Sequence, residues 1–118
     1  MQDYHQLDVW NRAMDYTAAI YEFSAQLPSD ERFNLVAQIR KAAISVPLNI
    51  AEGSGCTPNP EFARFVGYGY RSLKEVVTCL ELCERLRLCS PASTAPLIDE
   101  GNQISRMTFS FMQRLGGS

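Results

Sequence analysis

Gln38, Ser45, Asn49 and Glu52 follow one another at spacings of seven, four and three residues, which sets them along one flank of a helix. Two amide groups, a hydroxyl and a carboxylate in that arrangement could hold a polar ligand. They could equally form a hydrogen-bond network that satisfies backbone groups near Pro47 and fixes helix register, because buried polar groups take partners. The network is the simpler reading, and it predicts that Asn49 or Ser45 meets the carbonyl left free by Pro47. A second set, Arg40, Lys41, Arg64, Arg71 and Lys74, has the chemistry to contact phosphates and forms the candidate nucleic-acid-binding set. Arg64 and Arg71 stand two turns apart on one helix face. Repeated around a ring of subunits, such a face becomes a multivalent phosphate contact. The competing reading is a solvated surface, since Arg71–Glu75 and Glu81–Arg85 have the i,i+4 spacing of helical ion pairs.

Cys79 and Cys83 are one turn apart and would make half of a metal site. No second pair follows at ligand spacing, and His5 is the one histidine of the chain. These thiols therefore read as small apolar groups packed in a core. Cys56 lies in a glycine-containing loop as a candidate free thiol. No nucleophile–base pairing, phosphate-cradling loop or Glu-x-x-His pair is legible, so neither catalysis nor a metal or other cofactor is expected.

The elements that must position these residues are helices. A chain of 118 residues, 46% apolar and 20% charged, is expected to form one domain over 1–118. Its net charge of −2 lacks the basic excess of a dedicated nucleic-acid binder. The first residues do not form a secretory signal, and no apolar run approaches the ~18 residues that cross a bilayer. A cytoplasmic protein with no membrane contact and reduced cysteines is the expectation.

Turn chemistry divides the chain into helices over roughly residues 7–26, 30–53, 60–88 and 94–115. Ser29 is the expected cap of the second, Asn59-Pro60 opens the third, and Ser93 or Thr94 caps the fourth. Gly53 and Gly55 are expected to stop the second helix. Short connections between long helices predict an all-α, antiparallel up-down-up-down four-helix bundle. The first helix has two apolar stripes about 100° apart: Trp10, Met14, Thr17 and Tyr21 on one, Val9, Tyr16, Ile20 and Phe23 on the other. One stripe would face the core and the other a partner chain. The second helix carries Pro47 deep inside and is apolar around much of its circumference, which calls for burial on more than one side. Val9, Tyr16, Ile20, Phe23, Ile44, Pro47 and Leu48 are the candidate oligomer-interface residues.

The order of features resembles a known family. Leu7-Asp8-Val9-Trp10, Gln38-Ile39-Arg40-Lys41-Ala42-Ala43, Ile44-Ser45-Val46-Pro47, Asn49-Ile50-Ala51-Glu52-Gly53, Glu61-Phe62-Ala63-Arg64-Phe65 and Ser72-Leu73-Lys74-Glu75 carry the resemblance, which spans essentially the whole chain. It is similar to the four-helix bundle protein family, the intervening-sequence proteins of large-subunit ribosomal RNA genes, related to an accessory protein of diversity-generating retroelements. The resemblance implies a homopentameric ring and a non-catalytic scaffold that contacts structured RNA or DNA. Members commonly carry basic residues just after the signature glycine. Here Ser54-Gly55-Cys56-Thr57-Pro58-Asn59 has none, which together with the acidic balance points instead to a protein-binding or purely structural ring.

Overall fold

The computed structural model describes residues 3–116, and these form four α-helices: α1 (Asp8–Ser24), α2 (Leu35–Ser54), α3 (Asn59–Arg85) and α4 (Pro91–Arg114). Short 3-10 turns, Tyr4–Gln6 and Ser29–Glu31, precede α1 and α2. No strand occurs among the described residues. The registers are antiparallel all the way round. Gln38 bonds Glu75, Ser45 bonds Ser72, and Gly53 abuts Phe62, so α2 and α3 run in opposite directions. Phe62 meets Phe111 and Tyr70 meets Phe109, which reverses α4 against α3. Arg12 pairs with Glu100 at 2.6 Å while Tyr16 bonds the Leu97 carbonyl, closing α1 against α4. The result is an up-down-up-down bundle 44 Å long and 21 Å across.

Ile20, Ile39, Val46, Ile50, Leu73, Val76, Leu80 and Ile104 are fully buried along its axis. The apolar stripes of α3 and α4, with Phe62, Val66, Leu73, Val76 and Leu80 on one and Ile104 and Phe111 on the other, point inward, as their 3.6-residue period dictates. Gly53 does not stop α2. It lies inside the helix, where a Cβ would come within 2.8 Å of Phe62 and Phe65. Its role is to let the start of α3 close onto α2.

Ser29 caps no α-helix. Residues 29–34 instead make i,i+3 bonds such as Arg32 N to Ser29 O, and α2 starts at Leu35. The chain has to turn here before Val36 can join Leu27 and Cys83 in a small satellite core. The α4 helix starts earlier than expected, at Pro91, with Thr94 already buried inside its first turn and bonded to Glu84. A proline at the first position needs no N–H partner, which accounts for that start.

The α1 stripes are the reverse of one expectation. Val9, Tyr16 and Ile20 are buried in the chain's own core and Phe23 packs against it, whereas Met14 and Tyr21 are exposed. Pro47 is buried as well. Val9, Tyr16, Ile20 and Pro47 therefore leave the interface set, because a buried side chain has no surface to offer a partner. The carbonyl that Pro47 frees is that of Ala43, four residues back. Its partner is neither Asn49 nor Ser45 but Thr17 of α1, whose Oγ1 lies 3.1 Å away. The same hydroxyl lies 2.7 Å from Ala13 O, so its one proton is shared between two carbonyls.

Candidate nucleic-acid interface

Three of the five basic candidates share one surface. Arg64, Arg71 and Lys74 project from α3 toward two adjoining hollows between α3 and α4, of about 580 and 380 Å3, which share Tyr70 and Phe109. Arg64 and Arg71 line the first hollow, and Lys74 lines the second with Arg106 of α4. Among the described residues no carboxylate lines either one. On a chain with net charge −2, that segregation makes a locally positive groove.

The cations are held over aromatic faces. Arg71 lies 5.1 Å from the Tyr68 ring and Lys74 Nζ 5.0 Å from the Tyr70 ring. Arg64 donates to Glu61 and to the Tyr68 hydroxyl. The neighbouring Glu61 carboxylate raises the Arg64 pKa still further, chiefly by that hydrogen bond. Among the described residues Arg71 and Lys74 form no ion pair, and the Arg71–Glu75 and Glu81–Arg85 bridges that the spacing allowed are not formed. Glu75 instead accepts from Gln38 at 3.3 Å.

Arg40 and Lys41 belong elsewhere. Arg40 donates to Ser24 Oγ at 2.7 Å and to the Tyr21 carbonyl, and lies over the Tyr21 ring. A guanidinium there satisfies the last turn of α1 and suits its negative dipole end. Lys41 is exposed beside a hollow of about 510 Å3 between α1 and α2 that Tyr21, Ile44 and Leu48 also line.

The polar flank of α2 divides likewise. Asn49 donates to Ser45 O at 2.8 Å and to Ser45 Oγ at 2.9 Å, and Ser45 Oγ is 2.7 Å from Ser72 Oγ. That chain of bonds ties α2 to α3. Gln38 and Glu52 are exposed and stand outside it.

Cys79 and Cys83 are buried side by side, and burial pushes both thiols up, Cys83 to about 11. At neutral pH they are protonated packing groups, not thiolate ligands. Cys56 is half-buried with its sulfur 3.8 Å from Glu52 O.

Arg106, Tyr70 and Phe109 were not among the sequence candidates. Arg106 and Phe109 stand three residues apart and off the Ile104–Thr108–Phe111 seam, an exposed cation–aromatic pair that the helical period could have singled out. Ser105 was missed too. It is buried on the wall of the second hollow, and its Oγ has no hydrogen-bond partner.

A family model described as 23S rRNA-intervening sequence protein matches residues 5–110. Among solved structures the chain is similar to a protein of unknown function from the S23 ribosomal protein family of Bacteroides thetaiotaomicron, at 18% identity and a TM-score of 0.79. The match covers 88% of this chain and 97% of that one. At that identity the likeness bears on the fold. No curated protein matches.

Proposed function

The chain belongs to the 23S rRNA-intervening sequence protein family, and from that membership we propose that it is a non-catalytic cytoplasmic scaffold, a homopentameric ring presenting its α3/α4 groove to structured nucleic acid. The observation that carries this reading is the groove itself. Four cations, Arg64, Arg71, Lys74 and Arg106, line it; Arg64 is paired with Glu61, and among the described residues no carboxylate lines the groove itself. Phosphate contacts of this kind supply sequence-independent affinity. Around a ring each groove is repeated, so modest single contacts add through effective concentration.

Self-association has support on the opposite side. Leu48 is 53% exposed and Tyr21 39%, and with half-buried Ile44 they edge the α1/α2 hollow. His5 pairs with Asp3 at 2.8 Å in an exposed N-terminal turn, outside both hollows of the groove. Among the described residues no cluster of three or more His, Cys, Asp or Glu side chains is placed to hold a metal. No described helix is long and apolar enough to cross a membrane.

Fluorescence anisotropy with a labelled RNA hairpin and a DNA duplex, at low and near-physiological salt, tests the proposal. Binding should weaken steeply with salt, and Arg64→Gln, Arg71→Gln and Arg106→Gln should each flatten the salt slope by roughly 0.7–0.9. No binding at low salt would sink it. The net charge of −2 and the uncharged loop after Ser54 would then favour a protein-binding or purely structural ring.

A further inference from the structure

The groove contains more than charge. Phe109, which lines both hollows, is 45% exposed. It lies 5.7 Å from Tyr70 at an interplanar angle of 48°, so the two rings diverge and do not seal against each other. Cations flank them on both helices, Arg71 and Lys74 from α3 and Arg106 from α4. Beside them Ser105 carries a buried hydroxyl with no partner. A serine inside a helix ordinarily spends its proton on a carbonyl one turn back, as Ser54 does here toward Ala51 O.

We infer that the groove binds unpaired nucleotides, with a base stacked on Phe109 and Tyr70 and the backbone tracked by Arg64, Arg71, Lys74 and Arg106. The inference rests on the nucleic-acid reading above and narrows it from any phosphate backbone to single-stranded segments, such as loops or bulges of a folded RNA. Two observations favour that occupant over a duplex. A paired and stacked duplex hides its base faces, so exposed aromatic rings would gain nothing from it, whereas every unpaired base offers a π-face. Finally, the cations line a trough between two helices. Such a trough admits one strand with its bases turned inward, as in other single-strand grooves that combine positive charge with stacking platforms.

The test uses the full chain and fluorescein-labelled probes: a 12-nucleotide oligouridylate and a fully paired RNA duplex of the same length. The oligouridylate should bind at least about tenfold more tightly than the duplex. Phe109→Leu should remove about that factor from the oligouridylate, because losing one stacking platform costs that order of affinity, while the salt slope stays as in the wild type. Arg71→Gln should do the converse, flattening the slope for both probes. Thermal melts monitored by circular dichroism certify that each variant is folded. Equal affinity for the two probes, or wild-type affinity in Phe109→Leu, overturns the single-strand inference but leaves the phosphate-binding groove standing. Absence of binding to either probe at low salt overturns both.

Discussion

The hydroxyl of Tyr16 occupies the space that a side chain on Gly101 would need: a Cβ at that position would sit 2.5 Å from Tyr16 Oη. The hydroxyl donates to the Leu97 carbonyl at 2.9 Å, which anchors α1 to α4 at the middle of the bundle. Burial raises the pKa of this phenol well above its usual 10.0, so it remains a neutral donor throughout the ordinary pH range. Glycine in a helix interior costs about 1 kcal/mol relative to alanine, and here that cost is offset by the close approach it permits.

Gly101→Ala should therefore destabilise the protein by about 1–3 kcal/mol, the usual range for overpacking, despite alanine's better helix propensity. Tyr16→Phe in the same chain should recover part of the loss by removing the clashing oxygen. Recovery should be incomplete, because Val77 also lies 2.9 Å from that Cβ position. Urea titrations of the two single variants and the double variant measure the coupling. A fully additive pair would show that the two residues do not meet.

Thr17 and Pro47 form a second coupled pair. Thr17→Val keeps the shape of the side chain but leaves Ala43 O without a side-chain donor, at an expected cost of about 1–2 kcal/mol, and Thr17→Ser should restore most of it. In a Pro47→Ala background residue 47 regains its N–H, so Ala43 O recovers a helical partner. The Thr17→Val penalty should shrink there. An unchanged penalty would mean that Thr17 acts through Ala13 alone.

The buried thiol of Cys83 makes stability depend on pH at the alkaline end. Its ordinary value of 9.0 is raised to about 11 in the folded protein, mainly by burial. Below pH 9 both states hold the proton and stability is fully retained. Between about pH 9 and 11 the unfolded chain releases a proton that the native state keeps, so stability falls as pH rises. Denaturant midpoints across that range should decline in the wild type and decline less steeply in Cys83→Ala. Parallel curves would count against the assignment.

Leu48→Asp and Ile44→Asp test the ring. Light scattering should show each variant as a monomer where the wild type is a closed oligomer, with helix content largely retained for Leu48→Asp, whose side chain is 53% exposed. Ile44 is half-buried, so its variant should also lose some stability. If Leu48→Asp keeps the wild-type mass, the α1/α2 face is not where subunits meet.

Much of the architecture was legible before any coordinates. On α3 the inward stripe of Phe62, Val66, Leu73, Val76 and Leu80 has one direction only, and on α4 Gly101, Ile104, Thr108 and Phe111 form a single seam, so period alone orients both helices. Pro47 within an apolar helix signalled burial but was expected at a subunit interface, whereas it is buried within the single chain. The candidate site was half legible. Arg64, Arg71 and Lys74 share a helix, and spacing along one helix is a local property.

The remainder is non-local. Two apolar stripes of similar size on α1 look alike in sequence, and the choice of Val9, Tyr16 and Ile20 as the inward one depends on what the other helices offer, including the gap at Gly101. Thr17 is 26 residues from the carbonyl it serves. Arg106, Phe109 and the unpartnered Ser105 join the groove because α4 packs antiparallel beside α3 in one register. Sequence alone therefore determines the helices, their order and the faces with a single apolar stripe, since those follow from periodicity and turn chemistry within a few residues. Packing between helices selects the inward stripe of α1, the donor for Ala43 and the membership of the groove, because each depends on distances between residues far apart in the chain.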